Sequence, residues 1–234
     1  MGERNKIIQI ALSGDRGRMG KSLKKLIKKS VFMKVTAGAN RDHSPKSWKA
    51  SQIDAVIDFS LPDLFVQSLS WSVRNKKPFV SGTTGLGLSQ KRALKKAGKT
   101  IPVFYGENMS GGIFLLTEWL KNLFNEEVGI LIEDIHHKDK KDKPSGTALR
   151  LEKSLPPFLK EKVKIKSLRR GREFGTHRIL IKSSEEVLVL EHRALNRELF
   201  AKGALQALFF ILKKKKGFYE PFHLYGCEKL PLLP

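Results

Sequence analysis

Apolar and polar positions in the first half of the chain alternate between two rhythms. Residues 7–13 form a short apolar run that ends in a glycine turn, and Met19, Leu23, Leu26 and Ile27 then recur at helical spacing. Residues 35–39 predict a second strand built of small residues, and residues 55–59 predict a third after a polar connection. Leu64, Phe65, Leu69 and Val73 mark another helix. Residues 78–81 lead into the turn Gly82-Thr83-Thr84-Gly85, and residues 101–105 read as a fifth strand. Strands that alternate with helices predict a parallel sheet with ligands at its carboxyl ends.

From about Val128 the rhythm changes. The apolar run 128–132 reads as a strand, and the two adjacent histidines His136 and His137 follow shortly after it. A lysine-rich loop comes next, and Pro144-Ser145-Gly146-Thr147 opens a helix through Ala148, Leu149, Leu151 and Leu155. Residues 176–181 alternate, and the runs 180–182 and 187–191 flank a turn at 183–186. That pattern predicts a hairpin and a largely antiparallel second region. Helical spacing returns at Leu199, Leu205, Leu208 and Phe209, while the tail 217–234, with Pro221, Pro231 and Pro234 as breakers, reads as irregular. No internal repeat is visible.

A chain of 234 residues allows one or two domains, and 40% hydrophobic with 29% charged residues is ordinary for a globular protein. The longest apolar run near the C-terminus, 204–212, is interrupted by Gln206 and too short to span a bilayer. The first residues lack the apolar core of a signal peptide, so cytoplasm is the expected location and no membrane partner is expected. A single cysteine, Cys227, excludes an internal disulfide and a multi-cysteine zinc site, and it reads as a bystander. The net charge of +22 is the unusual quantity. Its lysines and arginines are spread along the whole chain, many on polar helix faces. Only three tyrosines and three tryptophans accompany them, without the interleaving of a single-strand binding groove. Nonspecific polyanion binding at low salt is expected, without a dedicated nucleic-acid function.

Two segments carry candidate chemistry. Between the first strand and first helix, Leu12-Ser13-Gly14-Asp15-Arg16-Gly17-Arg18-Met19-Gly20 stands where a dinucleotide phosphate loop belongs. Arg16 occupies the place of the usual second glycine, so the spacing is G-x-x-G-x-x-G. These glycines still permit a tight turn and close backbone approach, although an ordinary strand–turn–helix joint reads the same way. At the end of the second strand stand Asn40, Arg41 and Asp42. The fork of Arg41 suits a 2′-phosphate, and no acid holds the first position, which favours NADPH over NADH. The second segment is Asp134 to Leu149. A helix entered through small residues presents unpaired N–H groups and a positive dipole end, a seat for a carboxylate or phosphate. Imidazoles and ammonium groups beside such a seat supply binding and proton donation. The bland alternative is a solvated charged loop with an N-cap.

Taken in order, these segments resemble the 4-hydroxy-tetrahydrodipicolinate reductase family of lysine biosynthesis. The resemblance rests on residues 14–20, 56–62, 82–85, Asn108-Met109-Ser110-Gly111-Gly112, the run 133–149 and the return segment from Glu191-His192-Arg193 to Gly203-Ala204. It implies an α/β fold: a Rossmann-type dinucleotide-binding domain of residues 1–109 plus 197–234, with an inserted α+β substrate-binding and oligomerisation domain of residues 110–196. It also implies a homotetramer formed through the inserted sheet. The implied reaction is hydride transfer from NADPH or NADH to a cyclic dicarboxylate, with loss of its 4-hydroxyl. By resemblance His136 is the acid/base position and Lys140 the proton donor, His137 contacts substrate, and Ser145, Gly146 and Thr147 hold a substrate carboxylate. The cofactor phosphates fall on Gly14, Asp15, Arg16, Gly17, Arg18 and Met19, and the adenosine phosphate by Arg41. The nicotinamide half falls near Gly82, Thr83, Thr84, Gly106, Glu107, Asn108 and Met109, with Phe59 against the nucleotide. Arg197 and Phe200 resemble residues at the domain junction.

The chain departs from the family pattern in several places. The connection from Arg41 to Asp54 is short, Met109 replaces a common Phe, and Glu107 brings a negative charge towards the ring. Nearby cations are expected to lower the pKa of His136 and His137. Two other readings remain at this point: a different two-domain Rossmann oxidoreductase, which leaves His136-His137 and residues 144–148 unexplained, and a non-enzymatic binder of polyanions. His43, His177 and His223 are scattered without ligand spacing and read as surface or structural, His192 lies in the family-like return segment, and no metal set is visible.

Overall fold

The computed structural model describes residues 7–123 and 128–226; Cys227 and the rest of the tail lie outside them. In chain order the first elements are β1 (Ile8–Ser13), α1 (Arg18–Lys28), β2 (Met33–Ala39), β3 (Ala55–Asp58), α2 (Pro62–Arg74), β4 (Phe79–Ser81), α3 (Leu88–Ala97) and β5 (Pro102–Tyr105). There follow α4 (Gly111–Lys121), β6 (Gly129–His136), α5 (Gly146–Ser154), β7 (Val163–Arg169), β8 (Thr176–Lys182) and β9 (Val187–Arg193). The chain closes with α6 (Glu198–Leu212), β10 (Gly217–Tyr219) and α7 (Pro221–Tyr225). It divides into two compact units: Ser110–Leu199 is one, and the chain before and after it is the other. The second boundary, between Leu199 and Phe200, falls inside the first turn of α6, three residues later than sequence suggests.

The first unit is a six-stranded sheet in the order β10-β5-β4-β3-β1-β2, with every pair parallel. Alternation of side chains through the sheet feeds two cores. Ile10, Leu12, Ile57, Val80 and Phe104 pack with Leu23 and Ile27 of α1 and Ala204, Leu208 and Ile211 of α6. Ala11, Val56, Phe79 and Val103 on the other face pack with Phe65, Leu69 and Leu94. A fully buried side chain of this size contributes roughly 1.5–3 kcal/mol. The chain reverses direction across the sheet at β1, which has β3 on one side and β2 on the other. Such a switch point opens a crevice at the carboxyl ends.

The tail corrects the sequence reading. Gly217–Tyr219 extends the sheet beside β5, and Pro221 sits at the first position of α7, where a proline's missing N–H costs no hydrogen bond. Two helices escaped the periodicity. In α3 three lysines and an arginine take four of the ten positions, leaving Leu94 and Ala97 buried, and α4 is apolar nearly all round.

The second unit holds the sheet β7-β6-β8-β9. The pairs β6–β8 and β8–β9 are antiparallel, as the hairpin predicts, but β6 and β7 run parallel. β7 also went unread in the sequence; its apolar Val163 and Ile165 alternate with Lys164 and Lys166. One face of the sheet, with Ile130, Ile132, Ile179 and Ile181, is covered by Leu116 and Leu120 of α4 and Ala148 and Leu151 of α5. The helices thus bring both their N-termini to that face.

Candidate active site

The register of the second sheet assembles a row of polar side chains at the end of its helix-covered face. Asp134 of β6 pairs with His177 of β8, which pairs with His192 of β9. His136, two residues beyond Asp134, shares its face because strand side chains alternate. Asp134, His136 and His177 are buried. The His136 and His177 rings meet edge to face at 5.2 Å, and the His177 and His192 rings lie 6.5 Å apart. Each helix entrance meets this row through its N-cap serine. Ser145 accepts from the Ala148 N–H at 3.2 Å, and its hydroxyl lies 3.4 Å from His177 Nε2. Ser110 accepts from the Ile113 N–H, and its hydroxyl lies 3.0 Å from His192 Nε2.

Asp134 is the hub. Its Oδ2 accepts from the Ser145 N–H at 2.9 Å and from Arg169 Nη2 at 3.0 Å. Its Oδ1 lies 2.9 Å from His136 Nδ1 and 3.5 Å from His177 Nε2. The His136 contact is short but off the line of the ring N–H, so it is a close polar contact and not a formed hydrogen bond. Burial alone would raise the Asp134 pKa, but the polar groups of His136, His177 and Ser145 gathered on it outweigh that and hold the carboxyl well below the usual carboxylate range. Burial, more than cations, depresses the His177 imidazole. Burial and the neighbouring His177 push His192 down to about 4. Asp134, His136 and His177 each offer a ligand atom, all within 4.8 Å of one another. Arg169 already neutralises that carboxylate, so the electrostatics suit protons better than a cation.

The loop after His136 carries the other residues singled out in the sequence. His137 is half-buried and its N–H donates to the Glu173 carbonyl at 3.0 Å. Lys140 Nζ lies 2.8 Å from both oxygens of Asp142, and the same carboxylate accepts from the Gly146 N–H. An internal carboxylate thus joins the lysine to the helix N-terminus, the two groups expected to receive an anionic ligand. Thr147 stands half-buried in the first turn of α5. His177, read as one of the scattered histidines, is corrected to a central member of the buried row. The hairpin turn at 183–186 was the signal for it, because pairing Lys182 with Val187 brings His177 opposite His192. His43 and His223 are exposed; His223 Nδ1 accepts from the Glu220 N–H as a helix cap.

The residues expected to hold a dinucleotide all lie at the carboxyl ends of the first unit's strands. Gly14 follows β1 with φ +79°, and a Cβ there would stand 2.2 Å from the Phe59 carbonyl oxygen, so only glycine fits the switch point. Gly17 caps α1 without any side-chain hydrogen bond, and the helix N-terminus there suits a phosphate. Arg18 is exposed and Met19 half-buried there. The Phe59 ring packs against Gly82, where a Cβ would meet it at 2.1 Å. Buried Asp58 organises the adjoining turn, accepting from Ser60 at 2.5 Å, Thr83 at 2.6 Å and Ser81 at 2.8 Å. Burial nevertheless raises its pKa. Thr84 is exposed and Gly106 is buried after β5. These features fit a dinucleotide.

Other members of the set do different work. Asp15 is buried and accepts from Lys24 at 2.5 Å and from Asn40 at 2.9 Å, so its carboxylate ties α1 to the end of β2. Arg16 pairs with Asp42 at 2.6 Å, and Arg41 is exposed beside them. Glu107 is bound by Lys91 at 3.0 Å and by the Tyr105 hydroxyl at 2.9 Å, so its charge is compensated. Asn108 is half-buried, while Met109 belongs to the core beneath α6. The short connection after Arg41 packs down through buried Trp48, whose indole donates to the Gly38 carbonyl at 3.2 Å. Arg197 lies over the Phe174 ring, 5.2 Å from its centre.

Comparison with known proteins agrees with this architecture. Residues 8–109 match the N-terminal domain of dihydrodipicolinate reductase, and residues 112–224 match its C-terminal domain. A 4-hydroxy-tetrahydrodipicolinate reductase of Bdellovibrio bacteriovorus is 39% identical over 92% of this chain and 95% of its own. That of Pelagibacter ubique is 34% identical over 92% and 96%. The solved fold of a dipicolinate-bound dihydrodipicolinate reductase from Paenisporosarcina superposes with a TM-score of 0.71 at 18% identity, covering 92% of this chain and 98% of that one. The chain belongs to the dihydrodipicolinate reductase family, and so to the oxidoreductases with a dinucleotide-binding Rossmann fold.

Proposed function

We propose that this family member catalyses the reaction its relatives are named for: reduction of 4-hydroxy-tetrahydrodipicolinate to tetrahydrodipicolinate in lysine biosynthesis, with loss of water. The carrying observation is one short segment that holds His136, His137, Lys140 and the N-terminus of α5 together. A bound nicotinamide dinucleotide supplies the hydride. The chain does the rest. The N-terminus of α5 at Ser145, Gly146 and Thr147 holds a substrate carboxylate, and His137 contacts the same ring. Lys140 donates a proton, and His136 serves as acid/base. In the first unit, Gly14 to Met19 receive the phosphates. Phe59, Gly82, Thr83, Thr84, Gly106 and Asn108 border the nicotinamide half, with Glu107 and Met109 supporting that border from behind.

NADPH is the favoured cofactor, with NADH also accepted. Arg41 is exposed at the end of β2, while the nearby acid, Asp42, is taken up by Arg16 and is not free to clasp a ribose hydroxyl. The protein is assigned to the cytoplasm, and among the described residues no helix is long and apolar enough to cross a membrane. A homotetramer through the second sheet accounts for Val187, Leu188 and Val189, which are about half exposed on β9. The +22 charge attracts polyanions nonspecifically at low salt. The test is a turnover assay with freshly prepared substrate and each cofactor. Consumption of reduced cofactor only when substrate is present supports the assignment, and absence of turnover with both cofactors overturns it.

A further inference from the structure

His136 has two ring nitrogens, and an acid/base residue must present the correct one. Asp134 Oδ1 faces His136 Nδ1 and His177 Nε2 together. An ionised carboxylate oxygen only accepts, so both nitrogens facing it must carry hydrogen. The carboxylate cannot turn away, since Oδ2 is held by the Ser145 N–H and Arg169 Nη2, and Arg169 Nη1 also reaches the Asp134 carbonyl at 3.1 Å. His136 Nε2 points the other way, towards Gly175, where a Cβ would stand 3.1 Å from it. The backbone there has φ +142° and no side chain, which leaves Nε2 open.

We propose that Asp134 is the positioning residue of the acid/base: it fixes the Nδ1–H tautomer of His136 and so leaves Nε2 as the atom that gives and takes the proton. The proposal rests on the role given to His136 above. In each cycle the Nδ1 proton stays on the ring while Nε2 alternates between N–H and lone pair. Asp134 remains ionised throughout and stabilises the imidazolium when it forms. His177 shares the oxygen as a second donor and steadies the carboxylate. The charged groups facing this cluster are Arg169 from β7, His177 from β8, His192 from β9 and Lys140 from the loop. The same carboxylate binds the Ser145 N–H, so the proton-handling ring and the anion-binding helix share one anchor.

The experiment pairs Asp134→Asn with His136→Gln, measuring steady-state kinetics and ¹⁵N chemical shifts of the His136 ring. The wild-type ring should show Nδ1–H, and Asp134→Asn should shift it towards Nε2–H. The variant's kcat should fall about a hundredfold or more while cofactor affinity and thermal midpoint change far less, because Asn keeps the shape but, with its oxygen held by the Ser145 N–H and Arg169, turns an NH2 donor towards His136 Nδ1. The acid limb of its pH–rate profile should also move, which a merely structural role would leave in place. Wild-type-like kcat in Asp134→Asn beside a collapsed His136→Gln overturns the role of Asp134 alone. Wild-type-like kcat in His136→Gln overturns the acid/base assignment beneath it. A wild-type ring carrying its proton on Nε2 overturns the proposal even where the Asn variant fails to fold.

Discussion

Lys140→Ala tests the proton donor and carries a second effect that only the structure exposes. Lys140 Nζ sits 2.8 Å from both oxygens of Asp142, and that carboxylate also accepts from the Gly146 N–H. Removing the ammonium should cut kcat on the order of a hundredfold or more, the usual contribution of a positioned acid. It also leaves Asp142 uncompensated at the N-terminus of α5, where a substrate carboxylate must come in. Asp142 is more than half exposed, so this repulsion is screened and worth about 0.2–1 kcal/mol. The KM for substrate should therefore rise roughly 1.4- to 5-fold. Lys140→Ala/Asp142→Asn should bring KM back towards wild type and leave kcat low. The assay is loss of reduced-nicotinamide absorbance over a substrate series for wild type, single and double variants. Recovery of kcat in the double variant would refute the donor role, because it would mean that the single substitution acted only through Asp142.

The other predictions probe cofactor reading, packing and pH. Arg41→Ala should weaken NADPH by roughly ten- to over a hundredfold, from the loss of a charge-assisted contact of about 1.5–3 kcal/mol, and leave NADH nearly unchanged; equal weakening of both dissociation constants at physiological salt would sink that reading. In Gly203→Ala the new Cβ would stand 1.8 Å from the Met109 carbonyl oxygen, backbone against backbone, so α6 must shift. That should cost about 1–3 kcal/mol or more, seen as a fall in thermal midpoint of roughly 2–4 °C per kcal/mol; an unchanged midpoint would contradict the packing of α6. For His192 the folded pKa of about 4 lies below the ordinary 6.5, so the unfolded chain takes up the proton first. Stability should drop as pH falls from about 6.5 towards 4, and His192→Gln should flatten that part of a urea-midpoint profile.

The parallel half of the fold was legible because its apolar runs are short, its helices amphipathic and its turns glycine-rich. What escaped was of two kinds. Where lysines crowd a helix, as in α3, or apolar residues surround it, as in α4, no stripe stands out for periodicity to detect. The strand at Gly217–Tyr219 is only three residues long, and its pairing with β5 joins positions more than a hundred residues apart, so the three prolines that follow it, Pro221, Pro231 and Pro234, dominated the local pattern. Tertiary pairing overrode it.

The candidate site shows the same division between local and distant information. His136, His137, Lys140 and the entrance of α5 are neighbours in sequence, so one stretch of chain announced them. His177 and His192 were half announced. The turn at 183–186 fixes the pairing of Lys182 with Val187, and counting five residues away from the turn along each strand places the two histidines opposite one another. The pairing of Asp134 with His177 depends instead on how β6 meets β8, and no turn joins those strands. Asp134 is a buried carboxylate in a largely apolar strand. Its meaning lies in partners from three other elements: Arg169 on β7, His177 on β8 and Ser145 at the head of α5. Burying that charge is tolerable only because all of them converge on it. Loss of any one should therefore be felt at His136 even though none of the three touches its ring nitrogen Nδ1, and Arg169→Met, which leaves both histidines intact, should disturb the His136 ring shifts for that reason.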